Sequence, residues 1–393
     1  MIIFIKTGIL DTLDYFIDNM ACNTPDSHIL TFTDEQFFSQ LLSLDPYIDE
    51  TTYVITFNNA GAYISVTDRD GQHYYWDMKH VQLYSIQVDA PVWYKDVLDL
   101  DLKCMHVVSV DKTHANFVIR HFAPPAVFLP HGGVLSPYAI TPYESRNIDI
   151  LYLGTKQSFI NSDAASLSFF PDNGKEFMQT TLSLLYEHPF LTPEQLTDLY
   201  FKEAGISNAP RDNYIEAIDT LYRFILPNVR SYYQEQIISA LAEAHFHVTI
   251  YGDNWNSFGE RHPEYAEYVH INERTTPEKC IELICNSKIT FNIQPWFKEG
   301  AHERIYNAML NESVCVTDTS KYLERQFQDG ENIVFYNLSN LNELAEKVRS
   351  ILQNPEQAKR IIHNAKQLVK NSTWHDRLEN ILNRRFTEGK DFI

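Results

Sequence analysis

Asn292-Ile293-Gln294-Pro295-Trp296-Phe297-Lys298-Glu299-Gly300-Ala301-His302-Glu303-Arg304-Ile305-Tyr306-Asn307-Ala308-Met309 is the stretch on which the fold turns. An apolar strand ends at its start, a polar loop with glycine follows, and a helix begins near His302. Gly300 and Ala301 are small enough to let a ligand approach the backbone. A helix N-terminus offers free N–H groups and a partial positive charge, which suits a phosphate. Arg304 adds a planar guanidinium fork at the same end. The plainer reading is a strand–loop–helix connection with Arg304 in a surface ion pair, and the stretch alone leaves both open.

The same alternation runs outward in both directions. Strands are expected at 148–153, 248–251, 269–271, 289–293, 314–317 and 333–336, with helices at 231–244, 277–285, 303–310, 341–352 and 355–369. Toward the amino end a second series reads as strands at 2–5, 53–57, 81–88, 106–110 and 126–129, with a helix at 10–20. Alternating strands and helices argue for parallel α/β sheets, whose ligands sit beyond the carboxyl ends of the strands. Between 161 and 226 the pattern breaks into Pro-led helical segments, 175–188, 193–204 and 211–224, which read as an all-helical insertion. Pro137, Pro142 and the polar run 143–147 suit a linker. The predicted fold class is therefore α/β with two Rossmann-like domains. The expected boundaries are 1–140, 141–375 with the insertion at about 161–226, and a helical tail at 376–393.

Length and composition agree. At roughly 100–200 residues per domain, 393 residues make two or three domains. The formal net charge of −20 argues against sequence-independent nucleic-acid binding, where phosphate neutralisation supplies the affinity. It also argues against docking on anionic lipid. Cysteines at 22, 104, 280, 285 and 315 are odd in number and irregular in spacing, and read as buried free thiols in a reducing compartment. The amino-terminal Met-Ile-Ile-Phe-Ile-Lys reads as a first strand rather than a signal peptide, and no apolar run approaches membrane-spanning length. The expected address is the cytoplasm.

The stretch 292–309 is followed by Val314-Cys315-Val316-Thr317-Asp318, Asp329-Gly330-Glu331-Asn332-Ile333 and Ser372-Thr373-Trp374-His375-Asp376-Arg377. Upstream stand Leu151-Tyr152-Leu153-Gly154 and Tyr251-Gly252-Asp253-Asn254-Trp255. The first half carries Asp89-Ala90-Pro91 and Leu129-Pro130-His131-Gly132-Gly133. In this order the set resembles the GT-B glycosyltransferases, specifically the CgeB-like (spore-maturation) group related to the retaining group-1 enzymes. That group has an Arg before an "AM" dipeptide, a "TD" after a strand, a "DG-x-x-I/V" turn and a final "TW-x-x-R". The resemblance implies two Rossmann-like domains facing across a cleft, with the nucleotide sugar mainly on the second domain and the acceptor entering from the first. It also implies retention of anomeric configuration.

Two positions depart from that pattern. Related retaining enzymes carry two Glu eight apart, the second holding the donor ribose; here the pair is Glu299 and Asn307. An amide still hydrogen-bonds a diol but is not an obligate acceptor. The glycine that follows "AM-x-x" is replaced by Glu312.

The expected donor contacts are Gly154, Lys156, Tyr251, Gly252, Asp253, Trp255, Gly300, Ala301, His302, Arg304 and Asn307. Asp89, His131 and Glu299 are the candidate catalytic residues: Asp89 as base or acceptor contact, His131 beside the donor or leaving group, Glu299 on the sugar hydroxyls. Each has a bland rival: a turn carboxylate at Asp89, a hinge at His131, a loop lysine at Lys156, core packing at Trp255. Asp68-Arg69-Asp70 and Asp99-Leu100-Asp101 read as solvated turns rather than Asp-x-Asp metal motifs, and the His pairs 245/247 and 262/270 lack a third ligand. No metal and no cofactor is expected, only a nucleotide-diphosphate sugar, UDP-linked, as donor. The expected partners are that donor and a protein or glycan acceptor, with no nucleic acid and with homo-oligomerisation left open. Two rival functions remain: a nucleotide-sugar epimerase of the same fold, and a non-catalytic nucleotide-sugar-binding or assembly protein, which Asn307 and Glu312 would suit.

Overall fold

The structure, a computed structural model, describes residues 1–157, 174–203, 205–206 and 210–383. The chain divides into two compact units, Met1–Val134 joined by the chain from Asn371, and Leu135–Lys370.

The first unit is built on one parallel sheet. Its strands are β1 (Ile2–Lys6), β2 (Ser27–Thr31), β3 (Tyr53–Phe57), β6 (Gln82–Gln87), β7 (Met105–Ser109) and β8 (Ala126–Phe128), in the order β2-β1-β3-β6-β7-β8. A two-stranded antiparallel excursion, β4 (Ser65–Asp68) and β5 (Gly71–Tyr74), precedes β6. The central strands are apolar because both faces are covered, as parallel sheets require. One face packs Ile3, Ile5, Val54, Leu83 and Val107 into a continuous core. Helix Asp11–Ala21 returns to the sheet, and the carboxyl-terminal helix Trp374–Asn383 packs on it, with Trp374 4.9 Å from Phe16 and 5.1 Å from Phe57 between ring centroids. Residues 384–393 of the expected helical tail lie outside the described residues.

The second unit has a parallel sheet of β9 (Ile148–Leu153), β10 (Val248–Tyr251), β11 (Val269–Asn272), β12 (Ser287–Asn292), β13 (Val314–Asp318) and β14 (Val334–Tyr336). The order is β11-β10-β9-β12-β13-β14. The chain runs outward from β9 to β11, then returns to pair β12 on the other side of β9. The boundary between β9 and β12 is thus the topological switch point, where open α/β sheets bind their ligands.

Helices Gly174–Glu187, Pro193–Glu203 and Arg211–Thr220 occupy the segment expected to be a helical insertion; residues 161–173, 204 and 207–209 of it lie outside the described residues. The helix expected to start near 231 begins earlier, at Leu226, and runs to Glu243. A widened turn, Leu221–Ile225, joins it to the preceding helix. Pro227, which has no N–H to give, stands two residues after that turn. Among the described residues all five cysteines are free thiols, and no helix is long and apolar enough to cross a membrane.

Candidate functional site

The switch point of the second unit is closed by two loops. The first follows β9. Its Gly154 N–H donates to the Tyr251 carbonyl at 3.0 Å, and Lys156 N–H donates to the Asp253 carbonyl at 3.0 Å. Trp255 Nε1–H donates to the Gly154 carbonyl at 2.8 Å, and Gln234 Nε2 donates to the Thr155 carbonyl at 3.0 Å. Gly252 permits this approach, because a Cβ there would lie 2.3 Å from the Gly154 oxygen.

The second loop follows β12 and ends at helix Glu303–Leu310. Gln294 Oε1 accepts the His302 N–H at 2.9 Å, and Ser320 Oγ donates to the Gly300 carbonyl at 2.6 Å. Lys298 Nζ donates to the Pro295 and Pro189 carbonyls. These ties fix the start of the helix. The buried Arg304 then lies against Gly154, with Nη1 3.4 Å from where a Cβ at 154 would stand. Its guanidinium sits 5.7 Å from the Tyr152 ring centroid.

Arg304 is held from one side only. Nη2 donates to His302 Nε2 at 3.0 Å, while Nη1 is buried and has no hydrogen-bond partner among the described residues. His302 Nδ1 lies 2.5 Å from Glu303 Oε2. With Nε2 accepting, the ring proton belongs on Nδ1, and Glu303 accepts it. The Arg304 N–H also approaches Nδ1, at 3.4 Å, longer than an ordinary hydrogen bond. Burial pushes the imidazole down to about 4, and the Arg304 charge pushes the same way, so His302 is neutral at physiological pH. Glu303 and His302 thus orient the guanidinium without a further cation.

Three more buried polar atoms gather at the ends of β12 and β13. Asn292 Oδ1, Gln294 Nε2 and Asp318 Oδ2 have no hydrogen-bond partner among the described residues. A buried polar atom without a partner costs about 1–3 kcal/mol, so a cluster of them marks a place completed by water or ligand.

The other expected residues fall as follows. Lys156 is buried and engaged, its Nζ 2.8 Å from Ser231 Oγ and 2.9 Å from Glu235. Trp255 is buried between Tyr152 and Phe258, at centroid distances of 5.7 and 5.8 Å, and braces the Gly154 turn. Tyr251 and Asp253 give that turn their carbonyls, and the Asp253 side chain is exposed. Glu299 is partly exposed and ion-pairs with Lys321 at 3.4 Å and Arg325 at 3.7 Å. Gly300, Ala301 and Asn307 are buried, and the Asn307 carbonyl accepts from Asn311 Nδ2 at 2.8 Å.

Asp89 and His131 belong to the first unit. Asp89 Oδ2 accepts from Asn58 Nδ2 at 2.8 Å and from the Tyr94 hydroxyl at 3.3 Å. His131 stands edge-on to Trp374, 5.6 Å between centroids, and its carbonyl accepts from Arg377 Nε at 3.2 Å. Gly133 N–H donates to the Ser372 carbonyl at 2.8 Å, and Trp374 N–H returns to the Gly133 carbonyl at 3.0 Å. A Cβ on Gly132 would meet the Trp374 nitrogen at 2.6 Å. The His-Gly-Gly segment and the Ser-Thr-Trp segment therefore close one clasp. Asp68 accepts from the Asp70 N–H at 2.8 Å in the exposed β4–β5 turn.

Glu312 has a conformational role. Its φ is 61°, in the left-handed region. Ser313 N–H reaches the Ala308 carbonyl at 2.9 Å and Glu312 N–H the Met309 carbonyl at 3.4 Å, the pattern of a helix stop that glycine normally fills. Glu312→Gly should raise stability by about 1 kcal/mol, since the left-handed penalty outweighs the half-exposed ion pair to Lys366. Thermal unfolding checks this, and a lowered midpoint would refute it.

The sequence places Asn292 and Gln294 in the 292–309 stretch and Asp318 in the Thr-Asp motif but assigns none of them a role. For Asn292 and Asp318 the available signal was the polar side chain that closes a buried strand, in Ser-Lys-Ile-Thr-Phe-Asn and Val-Cys-Val-Thr-Asp; Gln294 lies two residues beyond the first of them.

Two parallel six-stranded sheets in separate Rossmann-like units define the GT-B class of glycosyltransferase folds. The part of the chain holding most of the site, residues 230–383, matches the family model described as glycosyl transferase-like. Sucrose-phosphate synthase from Thermosynechococcus elongatus is similar in structure, with a TM-score of 0.55 at 10% identity over 97% of this chain and 97% of that one. HepE from Anabaena, solved with UDP-glucose, has a TM-score of 0.54 at 10% identity over 97% of this chain and 98% of that one. Against a point mutant of TarM from S. aureus, solved with Fondaparinux, alpha-GlcNAc-glycerol and UDP, the TM-score is 0.48 at 13% identity. That match covers 87% of this chain, which spans only 57% of the TarM chain. No curated protein matches the chain in sequence.

Proposed function

We propose that the chain is a metal-independent glycosyltransferase that moves a sugar from a nucleotide-diphosphate donor, UDP-linked, to a hydroxyl of a protein, glycan or other acceptor. The observation that carries this reading is Arg304 Nη1, a buried charged donor beside Gly154 at the β9–β12 switch point, without a hydrogen-bond partner among the described residues. A diphosphate oxygen completes it. In the transfer the acceptor hydroxyl oxygen bonds to the anomeric carbon, the bond from that carbon to the diphosphate breaks, the leaving nucleoside diphosphate gathers negative charge, and the hydroxyl proton passes to its departing phosphate oxygen. Arg304 and the positive end of the dipole of helix Glu303–Leu310 oppose that charge and take the place of a divalent ion. The retaining course, the CgeB-like grouping and a hexose donor belong to the same proposal. The UDP-glucose complex of a protein with this fold supports the choice of nucleotide.

Arg304→Ala should weaken nucleoside diphosphate binding by about 1.5–3 kcal/mol, the worth of a charged hydrogen bond, and leave nucleoside binding unchanged. Calorimetry with UDP and uridine decides it: equal losses for both would remove Arg304 from the diphosphate. Donor turnover should survive EDTA, and a large loss that Mn²⁺ restores would defeat the metal-independent reading. A second reading, donor binding without transfer, is favoured by one observation, the amide of Asn307 in place of a carboxylate. Tight binding with no release of UDP in the presence of any acceptor would select it.

A further inference from the structure

Asp318 ends β13 and is buried. Its Oδ1 accepts the Gln294 N–H at 2.7 Å and the Tyr336 hydroxyl at 3.4 Å, while its Oδ2 has no hydrogen-bond partner among the described residues. Gln294 carries the connection on: its Oε1 accepts the His302 N–H at 2.9 Å, and His302 Nε2 accepts from Arg304 Nη2 at 3.0 Å. Three hydrogen bonds, bridged by the covalent frames of Gln294 and His302, therefore link the carboxyl group to the guanidinium at the switch point.

We propose that Asp318 is a positioning residue, setting the first turn of helix Glu303–Leu310 through Gln294, and that a diphosphate bound at Arg304 draws one proton from solvent onto Asp318 Oδ2. The inference rests on the donor reading above. An ionised Asp318 would hold a buried negative charge on the same network as the bound anion, and two like charges in a low-dielectric interior cannot both be accommodated cheaply. The neutral acid keeps its Oδ1 contacts and removes the repulsion.

Burial pushes the carboxyl group up to about 7, opposed by the Gln294 N–H and the Lys298 charge, so the proton is exchangeable near neutral pH. The groups facing Asp318 are Lys298 from the loop after β12, Cys315 from β13, Tyr336 from β14 and Tyr233 from helix Leu226–Glu243. Burial raises Cys315, Tyr233 and Tyr336 away from neutrality, and His302 stays neutral. Of the groups with a resolved shift here, Asp318 alone is brought to neutrality.

The test is calorimetry of UDP-glucose binding in paired buffers of different ionisation enthalpy, because the two phosphates of that probe do not titrate between pH 6 and 8. The full chain should take up a substantial fraction of one proton on binding at pH 7.5. Its affinity should fall about fivefold from pH 6 to pH 8. D318N should take up no proton and bind with a flat pH profile. Y336F, which keeps the acid but removes a hydrogen bond to its ionised form, should move the fall to higher pH, and it preserves the test should D318N fold poorly. Proton uptake that is absent in the unaltered chain, or unchanged in D318N, overturns the inference while leaving the donor reading intact. No binding of UDP-glucose at any pH removes the donor reading and this inference with it.

Discussion

Gly252→Ala is expected to destabilise the second unit by about 3 kcal/mol, the upper end of the cost of overpacking, and to weaken donor binding as well. The added Cβ would stand 2.3 Å from the Gly154 oxygen, 2.5 Å from its carbonyl carbon and 2.9 Å from the Thr155 nitrogen. All three are backbone atoms, so no side-chain rotation relieves the clash. The turn cannot move away freely either, because Tyr251, Asp253, Trp255 and Gln234 all hold it by hydrogen bonds. In a unit spanning Leu135–Lys370, such a loss should lower the thermal midpoint by roughly 6–12 °C. Gly259→Ala is the control: it lies in helix Asn256–Arg261, and its Cβ would meet only Ile271 Cδ1, at 3.3 Å. Unfolding of G252A at the unaltered temperature would mean that the Gly154 turn yields, and that the switch point is softer than its hydrogen bonds imply.

That glycine was visible in the sequence as part of a turn, but its reason was not. Buried parallel strands announce themselves as apolar runs, so 53–57, 148–153 and 248–251 are read at their observed limits. β2 escaped notice because it is an edge strand, half exposed, with the mixed sequence Ser-His-Ile-Leu-Thr. β4 escaped because all four of its residues face solvent, leaving no alternation to read. The site divides the same way. Arg304 and the helix start near His302 lie within one continuous stretch, so local spacing brings them together. Gly252 against Gly154, and Gly132 against Trp374, are contacts between distant segments, and nothing local in either segment specifies its partner. Lys156 shows the converse, that closeness in sequence does not fix where a side chain turns. It follows Gly154 closely, yet its Nζ turns to Ser231 and Glu235, because the helix Leu226–Glu243 covers that side of the strand.

The buried atoms at the switch point that have no partner among the described residues bear on stability as well as binding, and Asp318 gives an expected effect as large as that of Gly252→Ala. Its carboxyl sits at about 7 in the folded chain against an ordinary value of 3.8. The folded value is the higher one, so the native state holds a proton that the unfolded chain has released over the whole interval between them. Stability must then fall as pH rises through that interval and level off above about 7. Each unit of difference is worth 1.36 kcal/mol, so the part of the fall between pH 5 and pH 8 amounts to about 3 kcal/mol. Asp318→Asn removes the titration while its Oδ1 still accepts the Gln294 N–H and the Tyr336 hydroxyl. The variant should therefore unfold close to the unaltered chain at pH 5 and at a higher temperature at pH 8, with the gap opening steadily between. Thermal unfolding of both proteins across that range, without ligand, measures it. Parallel curves would show that Asp318 is already ionised in the folded chain at pH 5, its charge offset by Lys298 and enclosed water. A variant less stable at pH 8 would show that the carboxylate itself holds the β12 loop, and that the buried charge is an asset to the fold and not a cost.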